Sequence, residues 1–403
     1  MASNPRARAQ MLSPFARLNR LLDGIEPGAS AISLTVGEPR EGMPGFVGAV
    51  LAEHVAGFGK YPAIVGLPDF RAAVGDWLDR RYRLAGSLAE TGTLIPLNGS
   101  REGLFFAAVA AADHFSATGG TPLIMLPNPF YQAYLAGVRV AGTESMLLEA
   151  GPAENHLPDP GRLDPSDLDR AVAVYLASPA NPQGAVFSLG GWGEWIEAAR
   201  RHDFLLIADE CYSEIYRDAP PVGVLEAAHA LGEGYANVVA FNSLSKRSSM
   251  PGLRCGFAAG DKAFIDRWAA FRNMAAPQVP EPLQRVAIAA YRDEEHVAWN
   301  RDRYNEKYRA AGRILGDRFG YVEPAGGFFL WLDVGDYGGG EAVARRLWEE
   351  CGVRAVPGGY LAGDAPDGGN SGAPFIRLAM VEDLETTETA LRRMVAVLGN
   401  GPE

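Results

Sequence analysis

The chain has 403 residues, 47% hydrophobic and 21% charged, with a formal net charge of −12. That length buries a large core and suggests about two domains. The acidic balance argues against nucleic acid as a partner, and no apolar run reaches the roughly 18–20 residues of a membrane span.

Residues 1–10 carry Arg6 and Arg8 with no apolar stretch behind them, unlike a secretory leader. A cytoplasmic protein is therefore the expectation. Residues 1–30 read as an arm with a short helix, in which Phe15, Leu18, Leu21 and Leu22 share a face. A strand is expected over 31–36 and a helix over 70–82. A short strand over 94–97 leads into a helix beginning near Glu102. Residues 123–126, 173–177, 204–208 and 238–241 are short apolar runs with Pro, Gly or acidic residues at their ends, as in buried parallel strands. Helices such as 192–201 fall between them, giving an α/β pattern. After a helix over 262–274, the C-terminal part alternates helices (283–291, 298–319, 340–351, 383–398) with strands near 328–332, 353–356 and 375–379. The Gly-rich stretch 358–372 reads equally as a mobile loop beside a site or as plain surface irregularity.

Chemistry-bearing residues follow the apolar runs directly, where open α/β sheets bind ligands. Ser243-Leu244-Ser245-Lys246 places a lysine after a strand, with Arg254 further along. A lysine amine can form a Schiff base with a carbonyl cofactor, and hydroxyls with an arginine can hold a phosphate. Asp209, ending the 204–208 run, could keep a pyridine nitrogen protonated, with Tyr212 three residues on. Asn181 lies in the turn Asn181-Pro182-Gln183-Gly184. Gly99-Ser100-Arg101 opens a helix whose free amides could bind phosphate. Tyr131, in Pro127-Asn128-Pro129-Phe130-Tyr131, could stack on a flat ring. Arg377 sits inside the apolar strand 375–379 and needs a carboxylate. Singly, each has a commonplace explanation: surface charge for Lys246, a helix cap for Asp209 or Ser100, a plain turn for Asn181, core packing for the tyrosines, a structural ion pair for Arg377. Three cysteines without CxxC spacing and six scattered histidines disfavour a disulfide framework or a metal site.

The order of these features resembles the class I/II, fold-type I aminotransferases that depend on pyridoxal 5′-phosphate. The resemblance implies a large domain with a mainly parallel, seven-stranded-type sheet between helices and a smaller α/β domain. The boundaries would be 1–42 for the arm and part of the small domain, 43–281 for the cofactor-binding domain and 282–403 for the small domain. It implies that Lys246 holds the cofactor and then acts as acid and base. Asp209 would pair with the ring nitrogen, and Tyr212 and Asn181 would bond the phenolic oxygen. Ser100, Arg101, Ser243, Ser245 and Arg254 would bind the phosphate, and Tyr131 would stack on the ring. Arg377, helped by Gly37 and Asn181, would bind the substrate α-carboxylate. Tyr61 would reach the phosphate of a neighbouring subunit, implying a homodimer with shared sites and small amino and keto acids as partners.

Longer strings, including Asn98-Gly99-Ser100-Arg101-Glu102-Gly103-Leu104-Phe105 and Ala208-Asp209-Glu210-Cys211-Tyr212-Ser213-Glu214, resemble the proteobacterial N-succinyl-diaminopimelate aminotransferases. That resemblance implies glutamate as donor and N-succinyl-2-amino-6-ketopimelate as acceptor in lysine biosynthesis. Departures at Ala180, Gln183, residues 37–42 and residues 271–279 lie near the expected place of the substrate side chain. Arg101, Lys60 and Arg40 are candidates for a second cation. An aminotransferase for aspartate, alanine or aromatic amino acids is the alternative. A β-lyase or decarboxylase on the same fold is more remote. A regulator's effector domain is disfavoured because no basic helix-turn-helix segment precedes the fold.

Overall fold

The computed structural model describes residues 12–117 and 120–399, so residues 1–11 of the expected arm lie outside the described residues. The first described helix, Pro14–Leu21, starts where the Ser13 hydroxyl accepts from Ala16 N at 3.2 Å, a side-chain cap for an otherwise unsatisfied amide.

The main sheet contains β2 (Gly92–Leu97), β3 (Leu123–Asn128), β4 (Glu144–Glu149), β5 (Ala171–Ala177), β6 (Leu205–Asp209), β7 (Val238–Ser243) and β8 (Gly256–Asp261). Their order is β2-β8-β7-β6-β5-β3-β4. Strands β3 to β7 are mutually parallel, while β8 runs antiparallel to both β2 and β7. This matches the expected mostly parallel α/β architecture. Strands β4 and β8 had no clear sequence signal, because β4 is half exposed and β8 is rich in Gly and Ala.

Both faces of this sheet are covered. One layer packs Phe70, Trp77, Trp192 and Trp195 against it, and the other packs Leu104, Tyr134 and Trp268. Each buried aromatic of this kind contributes roughly 2–3 kcal/mol. Double-sided burial explains why the central strands are apolar without alternation.

A second sheet joins β11 (Val356–Pro357), β12 (Phe375–Ala379) and β9 (Phe329–Asp333), and β1 (Ile32–Ser33) pairs in parallel with β10 (Val353–Arg354). The strand expected over 31–36 is thus only two residues long, extended by one further bond from Leu34 N to Arg354 O at 3.0 Å. The strand expected over 353–356 is divided, because β10 and β11 belong to different sheets. The long helix runs Glu295–Leu315 and stops at Gly316, whose φ of +55° favours glycine, instead of continuing to 319.

Two connections position the site. After β7 the chain turns straight back into β8 through the short helix Leu244–Arg247 and the turn Pro251–Leu253. Lys246 and Arg254 are thereby kept at one end of the sheet. The Gly-rich stretch 358–372 docks on the end of β3. Asn128 Oδ1 accepts from Gly363 N at 2.9 Å, and Asn128 Nδ2 reaches Gly363 O and Ser371 Oγ, both at 3.2 Å.

Candidate active site

Parallel register brings three functional segments together. Ala177 pairs with Asp209 and Asp209 pairs with Phe241, so β5, β6 and β7 end side by side. Neighbouring strands lie about 4.8 Å apart. Asp209, at the end of β6, and the segments beyond β5 and β7, carrying Asn181 and Lys246, therefore converge.

Lys246 rides on the helix Leu244–Arg247, which Ser243 caps by accepting from Ser245 N at 3.2 Å. Asn300 Nδ2 donates to the carbonyls of Lys246 (3.0 Å) and Arg247 (3.2 Å), fixing the helix from its other end. The Lys246 amine donates to the carbonyl of Gly37 and lies 5.1 Å from the Phe328 ring centroid. Burial pushes this amine down to about 8; the Arg377 and Arg101 guanidiniums add to that, while Cys211 and Glu38 oppose it. Gly37 permits the approach, since a Cβ there would lie 2.6 Å from Phe329 Cζ.

Arg247 is a structural residue. It is 1% exposed, packs between Trp77 and Tyr291, and bonds Ala290 O at 2.8 Å and Glu294 Oε1 at 2.6 Å.

Asp209 is buried, and each carboxylate oxygen has a donor. Tyr134 Oη donates to Oδ2 at 2.6 Å, and Cys211 N donates to Oδ1 at 3.2 Å. Burial pushes the carboxyl up; the bonds from Tyr134 and Cys211 and the charge of Lys246 pull against that. Sequence reasoning stopped at Tyr131 and missed Tyr134. The available signal was its spacing, three residues on at the start of the helix Gln132–Ala141.

A cradle forms where the helix Ser100–His114 begins. Gly99 has φ +78°, and a Cβ on it would lie 2.0 Å from Arg254 Nη2. Arg254 donates to Asn98 O at 3.2 Å and approaches Ser245 Oγ at 3.5 Å, while Ser243 Oγ donates to Ser245 Oγ at 2.9 Å. Helix N-terminal amides, two hydroxyls and a guanidinium thus face one place, as anion binding requires. Glu102, the nearby acid, is taken up by an ion pair with the buried Arg272.

Tyr131 receives a hydrogen bond from Arg101 Nε and meets Tyr134 edge-on at 5.6 Å. Tyr212 packs edge-on against Phe328 (5.2 Å) and Phe329 (5.8 Å), beside Arg377.

Arg377, in the middle of β12, is 5% exposed. Nη2 donates to Thr35 O at 2.8 Å and Nη1 approaches Asn181 Oδ1 at 3.4 Å. Its guanidinium lies 4.3 Å over the Phe329 ring. Among the described residues it has no carboxylate partner, and its Nε lacks an acceptor. Burial pushes even this guanidinium down to about 10, partly offset by Tyr212.

Of the cofactor and substrate residues singled out from sequence, Tyr61 stands apart, as does the neighbouring candidate cation Lys60. Tyr61 is 100% exposed and does not join this chain's own cluster. Of the candidate second cations, Arg40 is engaged by Glu382, Lys60 is exposed beside Tyr61, and Arg101 remains at the site. The remaining arrangement fits pyridoxal phosphate: a phosphate cradle, a buried carboxylate for a ring nitrogen, an aromatic for the ring face and a desolvated amine.

A family model described as aminotransferase class I and II matches residues 30–394. The chain is 32% identical over 395 residues to an LL-diaminopimelate aminotransferase of Moorella thermoacetica, covering 96% of this chain and 95% of that one. It is 30% identical over 366 residues to the 4-dedimethylamino-4-oxo-anhydrotetracycline transaminase OxyQ of Streptomyces rimosus, covering 90% and 92%. A crystal structure of an aminotransferase from Neisseria meningitidis superposes with a TM-score of 0.88 at 35% identity, covering 98% and 99%.

Proposed function

The chain belongs to the class I and II aminotransferases, which depend on pyridoxal phosphate, and on that premise we propose the substrates and the residue roles. The reaction is transfer of the amino group of glutamate to N-succinyl-2-amino-6-ketopimelate, giving N-succinyl-LL-2,6-diaminopimelate and 2-oxoglutarate. One observation carries this reading: two guanidiniums, Arg377 and Arg101, lie close enough to Lys246 to depress its amine. Arg377 takes the α-carboxylate common to both substrates. Arg101, anchored on Tyr131 at the mouth of the cradle, takes a distal carboxylate, which both substrates carry.

When bound, pyridoxal phosphate supplies an electrophilic carbonyl carbon and a ring that withdraws charge from the substrate Cα. Lys246 Nζ, which burial pushes down to about 8, would hold the cofactor through its uncharged fraction and then move the proton at the substrate Cα. Asp209 holds a proton on the ring nitrogen. Ser100, Ser243, Ser245 and Arg254 grip the phosphate. Asn181 and Tyr212 bond the phenolic oxygen, and Tyr131 covers the ring. Gly37, by its carbonyl and its lack of a side chain, brings the 37–42 segment down on the substrate.

The division into 1–42 with 282–403 and 43–281 is supported by the pairing of β1 with β10 and by the confinement of the main sheet to residues 92–261. A homodimer with shared sites is supported by the exposed strip Val55, Phe58, Tyr61 and Val65. A cytoplasmic enzyme agrees with the finding that no described helix is long and apolar enough to cross a membrane.

A second reading, an aminotransferase for unacylated diaminopimelate, is favoured by the Moorella relative. A panel of keto acids with glutamate as donor separates them. N-Succinyl-2-amino-6-ketopimelate should give the highest kcat/KM, and Arg101→Gln should lower it while sparing a monocarboxylate acceptor. Equal rates across the panel would sink the substrate assignment.

A further inference from the structure

Tyr134 is buried at 2% exposure. Its ring stacks on Tyr175 with centroids 4.6 Å apart and planes 23° apart. The Tyr175 hydroxyl is itself fixed to Leu104 O at 2.6 Å. Leu104 belongs to the helix whose N-terminus forms the phosphate cradle. Tyr134 is therefore clamped from one side by a second tyrosine, and its hydroxyl meets Asp209 Oδ2 at 2.6 Å.

An ionised carboxylate only accepts, so Tyr134 must be the donor. Burial and the Asp209 charge push the Tyr134 phenol well above its ordinary range, which keeps it protonated and able to donate. Burial alone would favour the neutral acid at Asp209, which could not stabilise a protonated ring nitrogen. A donor to the ionised form offsets that burial and also fixes the direction of the carboxylate. With Oδ2 held by Tyr134 and Oδ1 by Cys211 N, each oxygen keeps accepting capacity for one further donor.

We infer that Tyr134 is a positioning residue: its hydroxyl holds Asp209 ionised and aimed at the ring nitrogen of the cofactor. This rests on the assignment of Asp209 proposed above. Tyr134 touches neither substrate nor cofactor and acts through Asp209.

The test uses the holoenzyme and its Tyr134→Phe, Tyr175→Phe and Asp209→Asn variants, with cofactor affinity read by reconstitution of the cofactor-free protein. Tyr134→Phe keeps the stacked ring and removes only the donor. It should weaken cofactor binding and lower kcat at saturating cofactor, each by about tenfold, with KM unchanged, the scale of one hydrogen bond to a charged group. The pH midpoint of the visible absorption band should rise, because a less protonated ring nitrogen withdraws less charge. Tyr175→Phe loses an equally buried hydroxyl and should lower the melting temperature without moving affinity or the pH midpoint. If Asp209→Asn weakens cofactor binding while Tyr134→Phe behaves as wild type, Tyr134 is only packing and the inference fails. If both are silent, the assignment of Asp209 fails first and takes the inference with it.

Discussion

Arg377 donates to the main-chain carbonyl of Thr35 at 2.8 Å, across 342 positions of the chain. The same guanidinium approaches Asn181 at 3.4 Å. Three distant segments are thus gathered around one cation that lacks a carboxylate partner among the described residues. A buried charge in that state costs stability unless a ligand completes it.

Arg377→Met should therefore separate activity from stability. The kcat/KM for every amino and keto acid should drop by a factor corresponding to about 3 kcal/mol. Thermal unfolding should show an unchanged or higher melting temperature, since the uncompensated charge is gone. A large loss of stability would mean that Arg377 is a structural cation.

Lys246 sets a pH dependence. Its amine, ordinarily near 10.5, is pushed down to about 8 by burial. The rate at which the cofactor-free protein captures pyridoxal phosphate should rise with pH and level off above about 8. Because the folded value is the lower one, the folded chain binds fewer protons between about 8 and 10.5. Stability contributed by this group therefore rises with pH across that window. Lys246→Met should abolish both the capture and that slope in chemical-denaturation titrations at several pH values.

Gly99→Ala tests the cradle. The added Cβ would meet Arg254 Nη2 at 2.0 Å, and the φ of +78° is unfavourable for alanine. Displacing the guanidinium should lower cofactor affinity by about 10- to 100-fold, the loss of one charge-assisted contact. Equilibrium dialysis of the cofactor would detect it, and wild-type retention would rule out Arg254 as a phosphate ligand.

Asn128→Ala should loosen the Gly-rich stretch from the end of β3. It removes the acceptor for Gly363 N and the donor to Ser371 Oγ at a 5% exposed position. A loss of about 2 kcal/mol in urea unfolding is expected, with faster limited proteolysis within 358–372. Unchanged cleavage would mean that other contacts hold the stretch.

Tyr61 gives a test for shared sites. Lys246→Ala and Tyr61→Ala protein, mixed under exchanging conditions and assayed at limiting cofactor, should recover about a quarter of wild-type activity, because half of the dimers are hybrids with one intact site each. No recovery would place Tyr61 outside the site of a neighbouring subunit.

Much of the fold and site could be read from residue order. The buried strands β3, β5, β6 and β7 announce themselves as apolar runs because helices cover both sheet faces. Lys246, Asp209, Asn181 and Arg377 stand out as polar residues immediately after or within such runs. Strand β8 was illegible because Gly and Ala carry little pattern. Tyr134 was hidden because a core tyrosine and a tyrosine facing a carboxylate have the same sequence context. The role of Arg247 was also hidden, since its place between Trp77 and Tyr291 depends on helices that lie over 40 residues to either side in sequence.

By itself the sequence determined the α/β class, the resemblance to the aminotransferases and the chain positions of the candidate groups, because local apolar patterning and short motifs are properties of neighbouring residues. Tertiary structure alone decided that Gly37 would sit against the Lys246 amine, that Arg377 would be buried without a carboxylate partner among the described residues, and that Asp209 would be gripped by Tyr134. These depend on strand register and on the return of distant segments, and burial then changes the charge states that the chemistry uses.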